Sequence, residues 1–557
     1  MATREQDIRL RLLVDVQAAS STTRRGIEAD ARAVLGPGWT VNRLFAHSAD
    51  ARLARHWVVA GDIPVSPLRP VAPLAYDLAA ALATRGGYAV EPDLPSSAFG
   101  AESEGGRLGL EALGAARAAH LDGSAAKDWA LSKIAAQHAW ARAVPPGGAS
   151  RGRGILVGHI DTGYSDHPDL ERGALDLTRD LDLVDGDDDA RDPLIARWWS
   201  PLDTPGHGTH TGSVIASRVA GEIVGAAPEA TLVPVRAVRS VVQVFDADVA
   251  RAVDHARRSG CQVISMSLGG RGFLGLQDAI RSAVDEGIIV MAAAGNEVGF
   301  VVAPAVYPEC LAVAASNADD RPWVGSSRGD AVDISAPGES VWIARVDSSV
   351  HPPRFYSDRS DGTSFAVAHL AGVAALWLAF HGPAVIRQRY GPGRVQDAFL
   401  ALVRATCRTP AGWERSRYGA GIVNADALLA AGLPSTAADE APRAPEFDVI
   451  RRITAAVPEL SPATVIAGLA TRFAVEESAL PDLLRRHASE LVYLLGEAPD
   501  LAGALLSPAG ALLSPVGALG NAVGALGART VPETLTGPPA ATWPGMSRHL
   551  SAALARK

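Results

Sequence analysis

Three short segments carry side chains able to support nucleophilic chemistry. In Gly158-His159-Ile160-Asp161-Thr162-Gly163, a carboxylate follows the apolar strand-like run Ile155–Ile160. In His207-Gly208-Thr209-His210-Thr211-Gly212, two imidazoles open a small-residue helix. In Gly362-Thr363-Ser364-Phe365-Ala366, a hydroxyl stands at the head of the apolar stretch Phe365–Phe380. A serine hydroxyl is a poor nucleophile at neutral pH. It needs an imidazole as base, and the imidazole needs a carboxylate to fix its tautomer and stabilise its charged form. Asp161, His207 and Ser364 supply those three types. Taken singly, each segment has a plainer reading: a turn residue at Asp161, a pair of metal ligands at His207 and His210, a helix cap at Ser364. Their occurrence in one domain with these flanks favours the joint reading.

The elements that must position these residues run from Asp128 to Pro434. Short apolar strands, Ile155–Ile160, Thr231–Val238, Val263–Leu268, Ile288–Ala294 and Leu311–Ala315, alternate with helical stretches. Continuous Val/Ile runs suit strands buried on both faces of a parallel sheet. The alternation predicts a doubly wound α/β domain, with ligands at the carboxyl ends of the strands. Residues 1–96 read strand-helix-strand-strand-helix-strand, the ferredoxin-like order. A Gly/Ala/Ser-rich linker, 97–127, holds one candidate helix, Leu110–His120. After a second linker, 435–445, residues 446–498 read as a small helical domain. Residues 499–557 contain a seven-residue Ala/Leu/Gly/Pro repeat, too rich in Pro and Gly for a sustained helix. That tail reads as a flexible apolar segment or, with the helical region before it, as a binding site for a protein partner.

The 557 residues carry a net charge of −9, with 48% hydrophobic and 20% charged residues, which describes a globular chain. The mild acidity argues against nucleic acid as a partner, because phosphate binding demands clustered Lys and Arg. The apolar stretch Phe365–Phe380 is too short for a membrane span and reads as a buried central helix. Three widely spaced cysteines, Cys261, Cys310 and Cys407, suggest neither a disulfide framework nor a zinc site. The charged N-terminal residues lack the apolar core of a secretion signal, so a cytoplasmic location is expected, with leaderless export as the alternative.

With these motifs in order, the stretch Trp129–Leu433 resembles the subtilisin-like serine peptidases, the subtilase family. The resemblance includes the leading segment Trp129–Trp140 and the closing segment Tyr418–Asn424. The order Asp, His, Ser is that of subtilisin. The resemblance implies an α/β doubly wound, subtilisin-like parallel sheet, flanked here by an N-terminal ferredoxin-like domain and a C-terminal α-helical extension. It implies a serine endopeptidase with a triad of Asp161, His207 and Ser364, and it gives Asn296 of Ala293-Ala294-Gly295-Asn296 the role of oxyanion donor. Ser267, Leu268, Gly269 and Gly270 match the extended segment that pairs with the substrate backbone, a form of strand addition. Val302 matches the floor of the primary specificity pocket, and a valine there favours small or medium apolar side chains. Ala368 stands where the family usually has Pro, so a transacylase or ligase using the same acyl-enzyme is the alternative. A catalytically silent peptide-binding scaffold is another. The resemblance implies no cofactor for the chemistry. A structural calcium is implied for Asp182, Asp185, Asp187 and Asp189, a loop whose carboxylates suit a hard cation. The N-terminal domain resembles the family's pro-domain, which implies autoinhibition through its tail, Val90–Ser97.

Overall fold

The computed structural model describes residues 6–16, 24–65, 71–95, 126–170, 172–195, 203–218, 221–242, 244–297, 300–433, most of 462–480, some positions between 487 and 494, and 546–554. The candidate helix Leu110–His120 and the repeat between 504 and 529 lie outside them.

The N-terminal segment runs β1 (Gln6–Asp15), α1 (Arg24–Leu35), β2 (Thr40–Arg43), β3 (His56–Val65), α2 (Val71–Gly86) and β4 (Ala89–Pro92). Its four strands form one sheet in the order β2-β3-β1-β4, with β1 and β4 antiparallel. This element order and strand order are those expected of a ferredoxin-like unit. Leu10, Leu12 and Val14 of β1 alternate into the core with Ile27 of α1 and Ala75, Ala79 and Leu82 of α2.

The middle of the chain builds a seven-stranded sheet from β5 (Leu156–Asp161), β6 (Leu181–Asp182), β7 (Thr231–Arg236), β8 (Val263–Met266), β9 (Ile289–Ala293), β10 (Leu311–Ser316) and β11 (Ile334–Pro337). The order is β11-β10-β9-β8-β5-β7-β6, and every pairing is parallel. The strands are buried almost throughout, as their unbroken apolar runs require. A two-stranded antiparallel ribbon follows, β12 (Val341–Asp347) with β13 (Arg354–Ser360). Four helices matter for the site: α3 (His207–Ala216), α4 (Asp246–Arg258), α5 (Leu274–Asp285) and α6 (Thr363–His381). Among the described residues, α6 is the one helix long and apolar enough to cross a membrane, yet that apolar window is completely buried. It is the central helix of the domain. Its mates in the core include Leu232, Val263, Met291 and Val313 from the sheet.

Near the C-terminus, α7 (Pro462–Phe473) and α8 (Arg548–Leu554) are described. The chain divides into two compact units. One comprises Met1–Val41, Val59–Pro92 and Glu446–Lys557; the other comprises Asn42–Val58 and Asp93–Pro445. Within the first unit α8 packs on α2: Leu550 is fully buried, and the His549 amide reaches the Asp77 carboxylate at 3.3 Å. Tyr493 meets Tyr76 at 5.9 Å between ring centroids.

Candidate active site

β5 and β8 are neighbours, and the chain leaves β5 toward β6 on one side of the sheet but leaves β8 toward β9 on the other. Such a switch point opens a crevice in a doubly wound sheet. Asp161 is the last residue of β5 and is fully buried. Its Oδ1 accepts the Thr162 amide at 2.7 Å and is paired with Nδ1 of His207 at 2.8 Å. Its Oδ2 accepts the Thr211 hydroxyl at 3.1 Å. Burial pushes the Asp161 carboxyl up, but the neighbouring His207 and His159 and the Thr162 amide together hold it below the usual carboxylate range.

His207 opens α3. Gly208 is what allows α3 to approach so closely, since a Cβ there would sit 2.0 Å from the Gly163 carbonyl oxygen. The Gly208 amide donates to the Thr162 hydroxyl at 3.0 Å, which ties the helix start to the end of β5. With Nδ1 engaged by Asp161, Nε2 is the nitrogen His207 has to offer. The metal-pair reading of His207 and His210 does not survive. Nε2 of His210 accepts the Val346 amide at 3.1 Å, and burial pushes this imidazole well below its ordinary pKa. His210 is a neutral structural residue.

Ser364 stands in the first turn of α6, where backbone N–H groups have no helical acceptor. Asn296 lies beside it. Its Oδ1 accepts both the amide and the hydroxyl of Thr363, at 2.9 and 2.8 Å. Those bonds fix which way the amide faces. A Cβ on Gly362 would lie 3.5 Å from Asn296 Nδ2 and 3.6 Å from the Ser364 amide nitrogen. The two donors therefore flank one spot, and the missing side chain of Gly362 keeps that spot open. The Ser364 hydroxyl rests on the Ser267 carbonyl at 3.4 Å, a long bond. The Phe365 ring lies 6.5 Å from the His207 ring, so the head of α6 and His207 are neighbours.

The segment Ser267–Gly270 follows β8, and Gly270 forms an antiparallel bridge with Ala303. The Ser267 hydroxyl donates to the Ser364 carbonyl at 3.0 Å, and Leu268 is buried. Two main-chain donors here are already engaged: the Gly269 amide by the Val241 carbonyl at 3.0 Å, and the Gly270 amide by the Ala303 carbonyl at 2.7 Å. Val302 fills the space between the two flanking segments. Its side chain lies 2.7 Å from where Gly269 would carry a Cβ and 3.1 Å from the same point on Gly295.

The acidic loop does not fit calcium. Arg236, nearly buried, is wedged between Asp182 and Asp185, and Arg239 takes the other oxygen of Asp185. Asp182 Oδ1 also accepts the amides of Val184 and Asp185. Asp187 accepts the Asp189 amide, and Asp189 accepts the Arg191 amide and the Tyr164 hydroxyl. The carboxylates are spent on guanidinium groups and on their own loop, and a fixed guanidinium repels a divalent cation. Among the described residues no group of three or more His, Cys, Asp or Glu side chains is arranged to hold a metal. The calcium expectation missed Arg236 because 54 residues separate it from Asp182.

Three further residues belong to the site. Thr211 and His159 stand behind Asp161, and Thr363 orients Asn296. His159 had a visible signal, a polar residue inside an otherwise apolar strand. Thr211 had none beyond the small-residue character of its helix.

The subtilase family model matches residues 152–419. Thermitase of Thermoactinomyces vulgaris is 35% identical over 255 residues, 45% of this chain and 81% of thermitase. Subtilisin Savinase of Lederbergia lenta is 32% identical over 252 residues, 44% of this chain and 82% of that protein. The chain belongs to the subtilase family. An intracellular serine protease of Paenibacillus polymyxa is 35% identical over 242 residues, covering 41% of this subtilase and 67% of the relative. The family brings serine peptidase chemistry to this chain, and that chemistry needs no cofactor.

Proposed function

We propose that this subtilase is an endopeptidase in which Ser364 attacks the peptide carbonyl, His207 takes its proton, and Asp161 holds the imidazole. The observation that carries the reading is the convergence at Gly362. Two N–H donors flank one open spot at the head of the helix bearing Ser364, and the Asp161–His207 pair lies alongside. In the mechanism, substrate binding turns the Ser364 hydroxyl from the Ser267 carbonyl to Nε2 of His207. Catalytic hydrogen bonds are often long in a free enzyme and tighten in the complex. Attack places negative charge on the former carbonyl oxygen, which the Asn296 side-chain amide and the Ser364 backbone amide receive. The His207 imidazolium then protonates the leaving amine, and water repeats the sequence on the acyl-enzyme.

The substrate is a peptide or protein held in extended form against Ser267–Gly270. Val302, between Gly269 and Gly295, serves as the floor of the pocket and favours a small or medium apolar side chain before the scissile bond. The N-terminal domain acts as an inhibitor. What supports this reading lies within the peptidase unit, in the residues that follow β4: the Asp93 carboxylate accepts the Ala247 amide at the start of α4 at 3.5 Å, and Arg271 donates to the Leu94 carbonyl.

The test is labelling by a fluorophosphonate, with mass mapping of the adduct. The label is expected on Ser364, and folded Ser364→Ala is expected to lose peptide hydrolysis by about 10⁶-fold, the size of nucleophile removal in such a triad. Label elsewhere, or full activity in Ser364→Ala, overturns the assignment. Inserting a specific cleavage site in the linker 97–127 tests inhibition. Cleavage is expected to raise the hydrolysis rate, and an unchanged rate removes the inhibitory role.

A further inference from the structure

Behind the Asp161–His207 pair lies a polar arrangement with no part in the chemistry described so far. His159 stands two residues before Asp161 on β5 and points into the interior with a neighbourhood of Thr211, Gly212 and Asp161. Its Nε2 is 2.9 Å from the Thr211 hydroxyl and 3.9 Å from Asp161 Oδ2. Thr211, fully buried on the first turns of α3, has three acceptors within reach of its single proton. They are Asp161 Oδ2 at 3.1 Å, the His207 carbonyl at 3.2 Å and the Gly208 carbonyl at 3.4 Å. A buried imidazole and a buried hydroxyl on this site are costly unless paired.

We propose that His159 and Thr211 form a buried donor relay that positions Asp161: Nε2–H of His159 donates to the Thr211 oxygen, and the Thr211 proton is committed to Oδ2 of Asp161. The proposal rests on the triad reading given above. Electrostatics selects the direction of the relay. With the proton on Nδ1, Nε2 of His159 would accept the Thr211 proton and turn a hydroxyl lone pair toward a buried carboxylate. With the proton on Nε2, both hydrogen bonds point at the negative charge, and each strengthens the other. Burial pushes His159 below its ordinary pKa, which keeps it a neutral donor.

Asp161 thereby has both oxygens fixed: Oδ1 by the Thr162 amide and His207, Oδ2 by Thr211. A carboxylate held at one oxygen only can swing about its Cβ–Cγ bond and carry His207 with it. His159 and Thr211 are positioning residues, since neither touches substrate.

The experiment measures kcat and KM on a peptide substrate, with rates normalised to the fraction of enzyme labelled by a fluorophosphonate. Thr211→Val keeps the shape and removes the donor. It is expected to lower kcat about tenfold, the scale of one lost hydrogen bond to a charged group, with KM within about twofold. His159→Leu is expected to do the same. The conservative partners, Thr211→Ser and His159→Gln, keep an O–H or N–H at the same reach and are expected to restore most of the loss. The double variant His159→Leu/Thr211→Val is expected to be no slower than Thr211→Val alone, because His159 acts through Thr211. Independent, multiplying losses overturn the relay. So does an unchanged kcat in Thr211→Val, which decides the matter even where His159→Leu does not fold. Failure of Gln and Ser to restore kcat shows that shape rather than donation matters, and also overturns it. If the wild type takes no label on Ser364, the triad reading itself falls; label in the wild type with indifferent variants sinks the relay alone.

Discussion

The peptidase unit contains two buried Asp–His pairs of the same length. Asp161 meets His207 at 2.8 Å, and Asp278 of α5 meets His56 at 2.8 Å. The difference lies in what surrounds them. Asp278 also receives Arg55, and the His56 ring is only 3% exposed, with Phe45 packed edge-on at 5.9 Å. His56 spends Nε2 on the carboxylate and is sealed. His207 spends Nδ1, keeps 14% of its side chain open, and faces the head of α6. A carboxylate and an imidazole make a base only where the far nitrogen reaches a nucleophile. Elsewhere the same pair is a fastener, here joining the segment around Arg52, Arg55 and His56 to α5.

The sharpest way to break this comparison is to neutralise each aspartate in turn. Asp161→Asn should lower kcat by about 10⁴-fold, through loss of the imidazole's tautomer and charge partner. Asp278→Asn should leave kcat within about twofold. Equal losses in steady-state assays would erase the distinction. Next in size, Asn296→Ala should cost about 10²–10³-fold in kcat with little change in KM, as loss of one oxyanion donor does. Asp278→Asn should instead appear in urea unfolding. A loss of about 3 kcal/mol is expected, at the low end for a broken buried pair because Arg55 keeps a third of its side chain in solvent. An unchanged midpoint would deny the fastener role.

The smallest effect concerns the acidic loop. Hydrogen bonding to Arg236, with Arg239 nearby, holds Asp185 below its ordinary 3.8. A carboxyl depressed in the folded state adds stability above its unfolded pKa and loses it as pH falls through the folded value. Asp185→Asn should therefore lower Tm slightly at pH 7, by about 1–2 °C for so exposed a group. The gap between variant and wild type should close below about pH 3.8. A gap that widens on acidification would reverse the sign and refute the pairing.

How much of this was legible in the sequence differs by kind of contact. Asp161 at the end of an apolar strand, His207 at a glycine-rich helix start and Ser364 before an apolar helix could be read locally, because each is placed by its own flanks. The parallel sheet could be read from its unbroken Val/Ile runs. Contacts set by packing between distant segments could not. Arg236 replacing a cation among aspartates, His159 meeting Thr211, and Val241 covering Gly269 all depend on neighbours brought together by the sheet. The N-terminal element order was readable, but the packing of α8 on α2 joins residues more than 470 positions apart, and no local pattern announces that.

The bond between the Gly269 amide and the Val241 carbonyl has a kinetic meaning. If substrate pairs with Ser267–Gly270 as proposed, a peptide carbonyl laid against Gly269 displaces Val241, trading one hydrogen bond for another of the same kind. The exchange costs little at equilibrium and still takes time, because one partner leaves before the other is seated. On that reading, binding is expected to proceed in two steps, a fast encounter followed by a slower displacement of Val241. In stopped-flow measurements the approach to the complex is then expected to level off at high substrate, and a rate that keeps rising with concentration would refute the displacement step.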